Sequence, residues 1–120
     1  MQPAKMPLTS IDKEFLKDMQ KVINENLSDP EFNVDELCRK LYMGRTSLYR
    51  KIHALSGETP KEFIRSYRLK RAAELLKKKS GTVLEVSFEV GFSNSSYFAK
   101  CFKEKFHQLP SEYQTSESEY

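Results

Sequence analysis

The chain has 120 residues, enough for one domain or for two very small subdomains, and this length excludes an enzyme built as two large lobes around a cleft. Hydrophobic residues make up 38% and charged residues 31% of the sequence, a balance that is typical of soluble globular domains and excludes a membrane-embedded or disordered chain. The net charge of +3 is uneven, because residues 1–38, 39–79 and 80–120 carry −4, +10 and −3. The basic middle segment favours contact with nucleic acid or with an anionic membrane surface, although a solvated helix face would show the same charge.

The first predicted helix spans residues 11–27. Residues 1–10 are interpreted as a linker or an expression remnant, since they contain Pro3 and Pro7 and no apolar stretch of the signal-peptide kind. Beyond them, apolar residues recur at the spacing of one helix face, namely Phe15, Leu16, Met19, Val22, Ile23 and Leu27. Residues 28–30, Ser-Asp-Pro, are predicted to end this helix.

Three later helix starts share one local signal, a polar N-cap residue followed three positions later by Glu. The pairs are Asn33 with Glu36, Thr59 with Glu62, and Thr82 with Glu85. Pro60, at a first helical position, opens a long helix that is predicted to reach about residue 78. Because no segment alternates with period 2, we predict an all-α chain of about seven helices that ends in a polar acidic tail over residues 115–120.

An internal repeat relates two parts of the chain, at an offset of 49 and then 50 residues. Val34, Leu37, Leu41 and Met43 align with Val83, Val86, Val90 and Phe92, and Leu48, Ile52, Pro60 and Phe63 align with Phe98, Phe102, Pro110 and Tyr113. Each copy is interpreted as a short helix, a turn containing Gly44 or Gly91, and a second helix. This is the helix-turn-helix pattern. It predicts two homeodomain-like subdomains, over about 34–56 and 83–107.

The long helix predicted over about 60–78 lies between the two copies, and its apolar face changes side partway along. Phe63, Ile64 and Tyr67 share one face, whereas Leu69, Ala72, Ala73 and Leu76 lie roughly opposite, and Leu75 fits neither set. This layout predicts a linker helix that packs on one copy with its first half and on the other with its second half. A helix buried all round would show a similar pattern.

The sequence offers little chemistry for catalysis or metal binding. Cys38 and Cys101 stand far apart with no Cys or His at ligand spacing, and His53 and His107 lie near predicted helix ends. The glycine-rich, GxSxG and HExxH patterns of common enzymes do not occur. We therefore predict a protein that is not an enzyme, with two reduced core thiols and no catalytic residue, metal, cofactor or small-molecule ligand.

Two blocks of sequence carry a family resemblance. They are NVDELCRKLYMGRTSLYRKIHALSGETPKEFIRSYRLKRAAELL at 33–76 and VLEVSFEVGFSNSSYFAKCFKEKFHQLPSEY at 83–113. Through these blocks, residues 11–114 resemble the DNA-binding domain of AraC/XylS-type transcriptional regulators, and the MGRTSLYRKIHALSGETP run is most similar to the C-terminal domains of hybrid two-component regulators. The chain departs from the family pattern at Cys38, Lys100 and Leu109. A lysine at position 100 weakens bidentate recognition of guanine.

The resemblance implies an activity and a set of partners. The activity is transcription regulation through binding of double-stranded DNA, with an activator as the expected output and a repressor as the alternative. The resemblance further implies that the domain is the output module of a longer protein with N-terminal sensor or receiver domains, and that RNA polymerase is a partner. It implies a location in the bacterial cytoplasm, associated with the nucleoid, even where the parent protein is anchored in a membrane.

Four residues of the first copy are candidates for reading bases. A helix-turn-helix places the N-terminal part of its second helix in the major groove. Since Leu48 and Ile52 must point inward, the outward face carries Arg45, Thr46, Tyr49 and Arg50. The arginines suit guanine edges or phosphates, and the other two suit methyl and hydroxyl contacts. Packing of Tyr49 against the adjacent backbone is an equal alternative.

The matching candidates in the second copy are shorter and more neutral. They are Asn94, Ser95, Ser96 and Lys100, with Tyr97, Phe98 and Phe102 predicted on the inward side. The serines suit phosphates or weak base contacts at a helix start, or they serve only to cap the helix. We therefore predict that the first copy discriminates between sequences and that the second copy positions the domain.

Further basic residues are candidates for phosphate contacts, and each has surface charge as its alternative role. They are Arg39, Lys40, Lys51, Arg65, Lys103 and Lys105. Arg68 is interpreted as structural, tying the linker helix to a nearby carboxylate or carbonyl. A linker helix between two reading helices predicts a target of two adjacent major-groove segments, about 10 base pairs apart. The alternative function, a helical protein–protein interaction module, would place apolar anchors where the Arg45–Arg50 stretch is basic and polar.

Overall fold

A computed structural model describes residues 8–116 of the chain, and within that range it contains seven α-helices and no strand. The helices are α1 (Ser10–Glu25), α2 (Val34–Leu41), α3 (Arg45–Ser56), α4 (Pro60–Lys77), α5 (Val83–Glu89), α6 (Ser95–Phe106) and α7 (Pro110–Thr115). The prediction of an all-α chain with about seven helices is confirmed. Most of the linker predicted over 1–10 and of the tail predicted over 115–120 lies outside the described residues. Across the described range, no helix is both long and apolar enough to cross a membrane.

The described residues divide into two compact units. Unit 1 consists of residues 8–26 and 32–66, and unit 2 consists of residues 27–31 and 67–116. Helix α4 contributes its residues up to Ser66 to unit 1 and its residues from Tyr67 onward to unit 2. Residues 27–31, which connect α1 to α2, therefore fold with unit 2, and the sequence did not predict this.

Each unit has its own apolar core, formed by the helix faces that the periodicity marked as inward. In unit 1, Met19, Ile23, Leu37, Leu48 and Ile52 are completely or almost completely buried. In unit 2, the rings of Phe98 and Phe102 pack beside the second half of α4, whose buried residues are Leu69, Ala72, Ala73, Leu75 and Leu76. Leu75, which the sequence left unassigned, thus belongs to the core of unit 2. Complete burial of one such side chain stabilises the fold by about 1.5–3 kcal/mol.

The helix starts follow the polar N-cap signals, with one correction. Thr59 and Thr82 form reciprocal caps with Glu62 and Glu85, as each threonine accepts a backbone N–H and each carboxylate accepts the N–H of its threonine. The reciprocal arrangement predicted for Asn33 is only half formed. The Asn33 side chain accepts the N–H of Glu36, but the Glu36 carboxylate pairs with the Arg39 guanidinium instead.

Helix α1 begins and ends slightly earlier than predicted. Thr9 and Asp12 form a reciprocal cap that starts the helix at Ser10. At the other end, the Asn26 amide donates a hydrogen bond to the Val22 carbonyl, and the Asn26 N–H turns back to Ile23. These bonds satisfy the last carbonyls and end the helix at Glu25, two residues before the predicted end.

Both predicted glycines lie in the turns of the repeat, but they take different backbone conformations. Gly91 adopts the left-handed conformation that ends α5, at φ 93°. The repeat aligns it with Tyr42, and Tyr42 is left-handed too, at φ 56° and ψ 42°. Gly44, the glycine predicted in the first turn, is the extended N-cap of α3, at φ −77°. A tyrosine in this conformation is uncommon, because the Cβ atom crowds the following carbonyl.

Arg68 holds the turn of unit 2 together, which bears out its interpretation as a structural residue. Its Nη1 atom donates to the carbonyls of Leu27 at 2.8 Å and Val90 at 2.9 Å, and its Nη2 atom donates to the carbonyl of Asp29 at 3.1 Å. Burial lowers the pKa of this guanidinium, and the charge of Asp29 opposes the effect. Hydrogen bonds to the three carbonyls replace those that the guanidinium would make to water, and they offset the free-energy cost of burying its charge.

Candidate nucleic-acid interface

Helix α3 presents the four base-reading candidates of unit 1 on one exposed face. Leu48 and Ile52 anchor the helix by pointing into the core. The opposite side carries Arg45, Thr46, Tyr49 and Arg50, which together line one wall of an open groove with a volume of about 620 Å³. The structure therefore brings the four predicted residues together. Their contact with bases stays a prediction.

The other wall of this groove comes from the starts of α2 and α4, and it adds a basic residue that the sequence analysis missed. The wall consists of Val34, Thr59, Pro60 and Lys61. Lys61 is exposed in the first turn of α4. It follows Pro60, a position of the internal repeat, but the alignment does not show which residues lie beside the reading helix. Its ammonium group adds a positive charge to a groove that already has two arginines.

Tyr49 remains accessible although it makes an aromatic contact. Its ring stacks on the imidazole of His53, one turn further along α3, with ring centroids 5.7 Å apart and an angle of 5° between the planes. The residue is 47% exposed. Because the stacked ring still borders the groove, base contact and packing against the backbone both stay predictions for Tyr49.

Arg45 is held by a residue of the preceding helix. Its guanidinium donates a hydrogen bond to the Asp35 carboxylate of α2, and both side chains remain largely exposed. Arg50, by contrast, lies in the middle of α3 on the same groove wall. The two arginines therefore differ in how strongly their position is restricted.

Helix α6 of unit 2 is anchored by Phe98 and Phe102, which are fully buried. Asn94 is the N-cap of this helix, and its side chain accepts the N–H of Tyr97 at 2.9 Å. Ser95 is half-buried, whereas Ser96 and Lys100 are exposed. Capping thus occupies the oxygen of Asn94, and the exposed polar candidates of this helix are Ser96 and Lys100.

The prediction that Tyr97 points inward is wrong. Tyr97 is 47% exposed, and its ring meets the Phe92 ring from the outside, with centroids 6.1 Å apart. Phe98, the next residue along α6, takes the inward position. Adjacent helical residues point about 100° apart, so both rings cannot face the core centre. Tyr97 is therefore a further aromatic group on the outer face of α6.

The phosphate-contact candidates lie in different environments. Arg39 pairs with Glu36, and this hydrogen bond and the charge of the carboxylate raise the pKa of Arg39. The Lys51 ammonium lies over the Phe15 ring, 5.1 Å from its centroid, and Lys105 lies over the Phe106 ring at 5.8 Å. The remaining members of the set are Lys40 and Lys103, which are exposed, and Arg65, which is half-buried. Lys103 and Lys105 also stand in the last turn of α6, where cations favour the helix dipole.

Comparison with known proteins gives a consistent group of relatives. A family profile described as a helix-turn-helix domain matches residues 37–116. The chain is 40% identical over 117 residues to "Histidine kinase P4" of Formosa agariphila, and 36% identical over 102 residues to "HTH-type transcriptional regulator MtrA" of Neisseria gonorrhoeae. These alignments cover 98% and 85% of this chain but only 8% and 33% of the two relatives. The chain therefore spans a minor part of the curated proteins that it matches.

Solved structures with this fold include domains of regulators. The C-terminal domain of the two-component response regulator YesN from Fusobacterium nucleatum has a TM-score of 0.74 at 26% identity, covering 88% of this chain and 99% of that one. The DNA-binding domain of the global transcriptional factor AdpA, solved in complex with a target DNA, also has a TM-score of 0.74, at 25% identity, covering 82% and 88% of the two chains.

Proposed function

The chain belongs to the AraC-type helix-turn-helix family, and from this premise we propose that it binds double-stranded DNA sequence-specifically and thereby regulates transcription. The observation that carries the proposal is the groove of unit 1, where α3 displays Arg45, Thr46, Tyr49 and Arg50 on a face that its buried residues leave outward. Such side chains match the donors and acceptors of base edges in the major groove. Helix α3 is the reading helix of unit 1, and α6 is that of unit 2.

The two units contribute unequally in this proposal. Arg50 and Arg45 supply the planar donors that recognise guanine, and Lys61 meets the adjacent backbone phosphates. In unit 2, Ser96 and Lys100 make weaker contacts that fix the register on the duplex. The target consists of two adjacent major-groove segments, about 10 base pairs apart, because each helix-turn-helix occupies one segment.

The wider assignment concerns the protein that contains this domain. One relative is named as a histidine kinase, and a structural neighbour is the C-terminal domain of a two-component response regulator. These names support an output module that follows sensor or receiver domains in a two-component regulator. RNA polymerase is the proposed partner during activation, and the proposed location is the bacterial cytoplasm at the nucleoid. The domain itself has no catalytic role in this assignment.

A protein-docking role for the same face has less support. Docking helices insert Leu, Met or aromatic anchors into a partner, and interface cores are depleted in charged residues. The wall that α3 contributes to the groove contains two arginines, one threonine and one tyrosine. Binding of a protein partner through this wall, with no DNA site selected, would favour the docking role.

Selection of bound duplexes from a random library, at two salt concentrations, tests the proposal. We expect one preferred site, with an affinity that falls as salt rises, at a log–log slope of about −0.9 per neutralised phosphate. Arg50→Ala should weaken binding to that site by about 1–3 kcal/mol and relax one base position. The matched control is Arg71→Ala in α4, which removes the same charge from a residue outside the groove that pairs with Glu74.

Two results would contradict the proposal. One is an affinity independent of salt, or no selected sequence at all. The other is equal loss of affinity in Arg50→Ala and Arg71→Ala, because a general charge effect would then explain the binding without any reading by α3. Both variants should unfold at a temperature near that of the parent domain. The change in affinity then reflects DNA contacts and not a loss of folding.

A further inference from the structure

Helix α3 begins in a way that is unfavourable for a helix. Its N-cap is Gly44, which offers no side-chain hydrogen bond, and its first turn contains no acidic residue. Its first position is Arg45. A cation there opposes the positive end of the helix dipole, where acidic residues are preferred. Arg45 therefore does not contribute to the stability of α3 through its position.

The equivalent helix of unit 2 begins in the ordinary way. Asn94 caps α6 by accepting the N–H of Tyr97, and the first helical residue is the neutral Ser95. The second helix of a helix-turn-helix copy can therefore begin with a side-chain cap, as α6 does. The unfavourable start of α3 points to a role for Arg45 outside folding, since local rules are most often broken at functional sites.

Asp35 contacts this arginine from the first turn of α2. The Arg45 guanidinium donates to its carboxylate, and the two side chains are 66% and 71% exposed. Ion pairs as exposed as this one add little to folding stability. The pair is therefore not needed for folding, and its remaining effect is a modest bias on where the guanidinium lies. The repeat places Leu84 and Ser95 at the corresponding positions of unit 2, so α5 and α6 have no such pair there.

We infer that Asp35 is a positioning residue for sequence reading, because its carboxylate holds the Arg45 guanidinium beside the groove and so directs it to a base edge. This inference rests on the DNA binding proposed above. An arginine without such a restraint can lie against any phosphate, which gives affinity but no discrimination. The carboxylate also repels phosphates, so it weakens binding to sequences in which Arg45 finds no guanine.

Asp35→Asn separates these two effects. We expect its selectivity at one base pair of the site to fall by about two- to fivefold, since the bias that an exposed ion pair exerts on the guanidinium is of this size. Its affinity for unrelated DNA should rise about twofold, because one repulsive charge near the backbone is removed. A merely structural role would change neither the base preference nor the ratio of specific to non-specific binding.

Glu36→Gln is the matched control. Glu36 is the next residue of α2, it pairs with an arginine, and it loses the same charge on substitution, but its partner Arg39 does not line the groove. The measurement is site selection from random duplexes by the parent domain and by both variants, followed by binding titrations with every base at the position that changes. Thermal unfolding establishes that each variant is folded.

The outcomes separate this inference from the function on which it rests. A changed preference at one base pair in Asp35→Asn, with the preference kept in Glu36→Gln, supports it. If the parent selects a site and Asp35→Asn selects the same site with equal discrimination, the inference fails while the DNA-binding function stands. Equal changes in both variants overturn it as well, because charge alone then explains them. Absence of any binding by the parent overturns the function and the inference together.

Discussion

Replacing Gly91 by alanine tests the packing around Arg68 more directly than any other substitution. A Cβ atom at this position would lie 1.3 Å from Nη1 of Arg68 and 2.3 Å from the carbonyl oxygen of Leu27. Neither distance is possible for non-bonded atoms, and the oxygen belongs to the backbone. The guanidinium must therefore leave its position, and with it the hydrogen bonds of Nη1 to Leu27 and Val90.

The expected loss of stability has two sources. Holding a non-glycine residue at φ 93° costs about 1–3 kcal/mol. A lost hydrogen bond to a charged group costs about 1.5–3 kcal/mol, and a buried partner left without one costs a similar amount. With only one lost bond, Gly91→Ala should lower the free energy of unfolding by at least about 2.5 kcal/mol. This is a large share of the total stability of a small domain.

Guanidinium chloride unfolding, followed by far-ultraviolet circular dichroism, measures the loss. Gly44→Ala is the control, because no atom lies within 4 Å of its added Cβ and its φ of −77° suits any residue. We expect the control to lose less than about 1 kcal/mol, the cost of a poorer N-cap. If Gly91→Ala unfolds within 1 kcal/mol of the parent, or no more easily than Gly44→Ala, the account of Arg68 and Gly91 is wrong.

Two smaller predictions concern the local backbone and a cap. Tyr42→Gly should leave stability unchanged or raise it by up to about 1 kcal/mol, because relief of the left-handed strain offsets the added freedom of the unfolded chain, and thermal unfolding that shows a clear loss would contradict this. Hydrogen bonding from the Thr59 N–H lowers the pKa of the Glu62 carboxyl, so its stabilisation is complete above the ordinary glutamate pKa of about 4.3 and is lost as the pH falls through the lower folded-state value. Melting temperatures between pH 7 and pH 3 should therefore fall less steeply for Glu62→Gln than for the parent, and parallel curves would refute the assignment.

The sequence predicted the helices well because their signals are local. Helical periodicity, N-cap residues and the proline at position 60 each act over a few neighbouring residues. The internal repeat shows the same pattern a second time. The same repeat also indicated which residues of α3 and α6 face inward. It aligns Leu48 with Phe98, and both side chains are buried. Once Leu48 and Ile52 were assigned to the core, the remaining residues of α3 were predicted to form its outward reading face.

The errors come from interactions that a linear pattern does not contain. The turn containing Gly44 was predicted, but no local signal indicated that Tyr42, which is 95% exposed, takes its left-handed conformation. Glu36 has two partners within reach, the Asn33 N–H and the Arg39 guanidinium, and the charged partner prevails. The groove position of Lys61 and the pairing of Asp35 with Arg45 depend on how α2, α3 and α4 pack together.

The position of residues 27–31 within unit 2 has a consequence for cutting the chain. A fragment that begins at Tyr67 would keep Arg68 and Val90 but lack the carbonyls of Leu27 and Asp29, two of the three acceptors of the guanidinium. Unit 2 is thus discontinuous along the chain, although the duplicated pattern is continuous. Truncation between the two copies would therefore not release an intact second half, and grafting unit 2 into another protein requires residues from before the first copy.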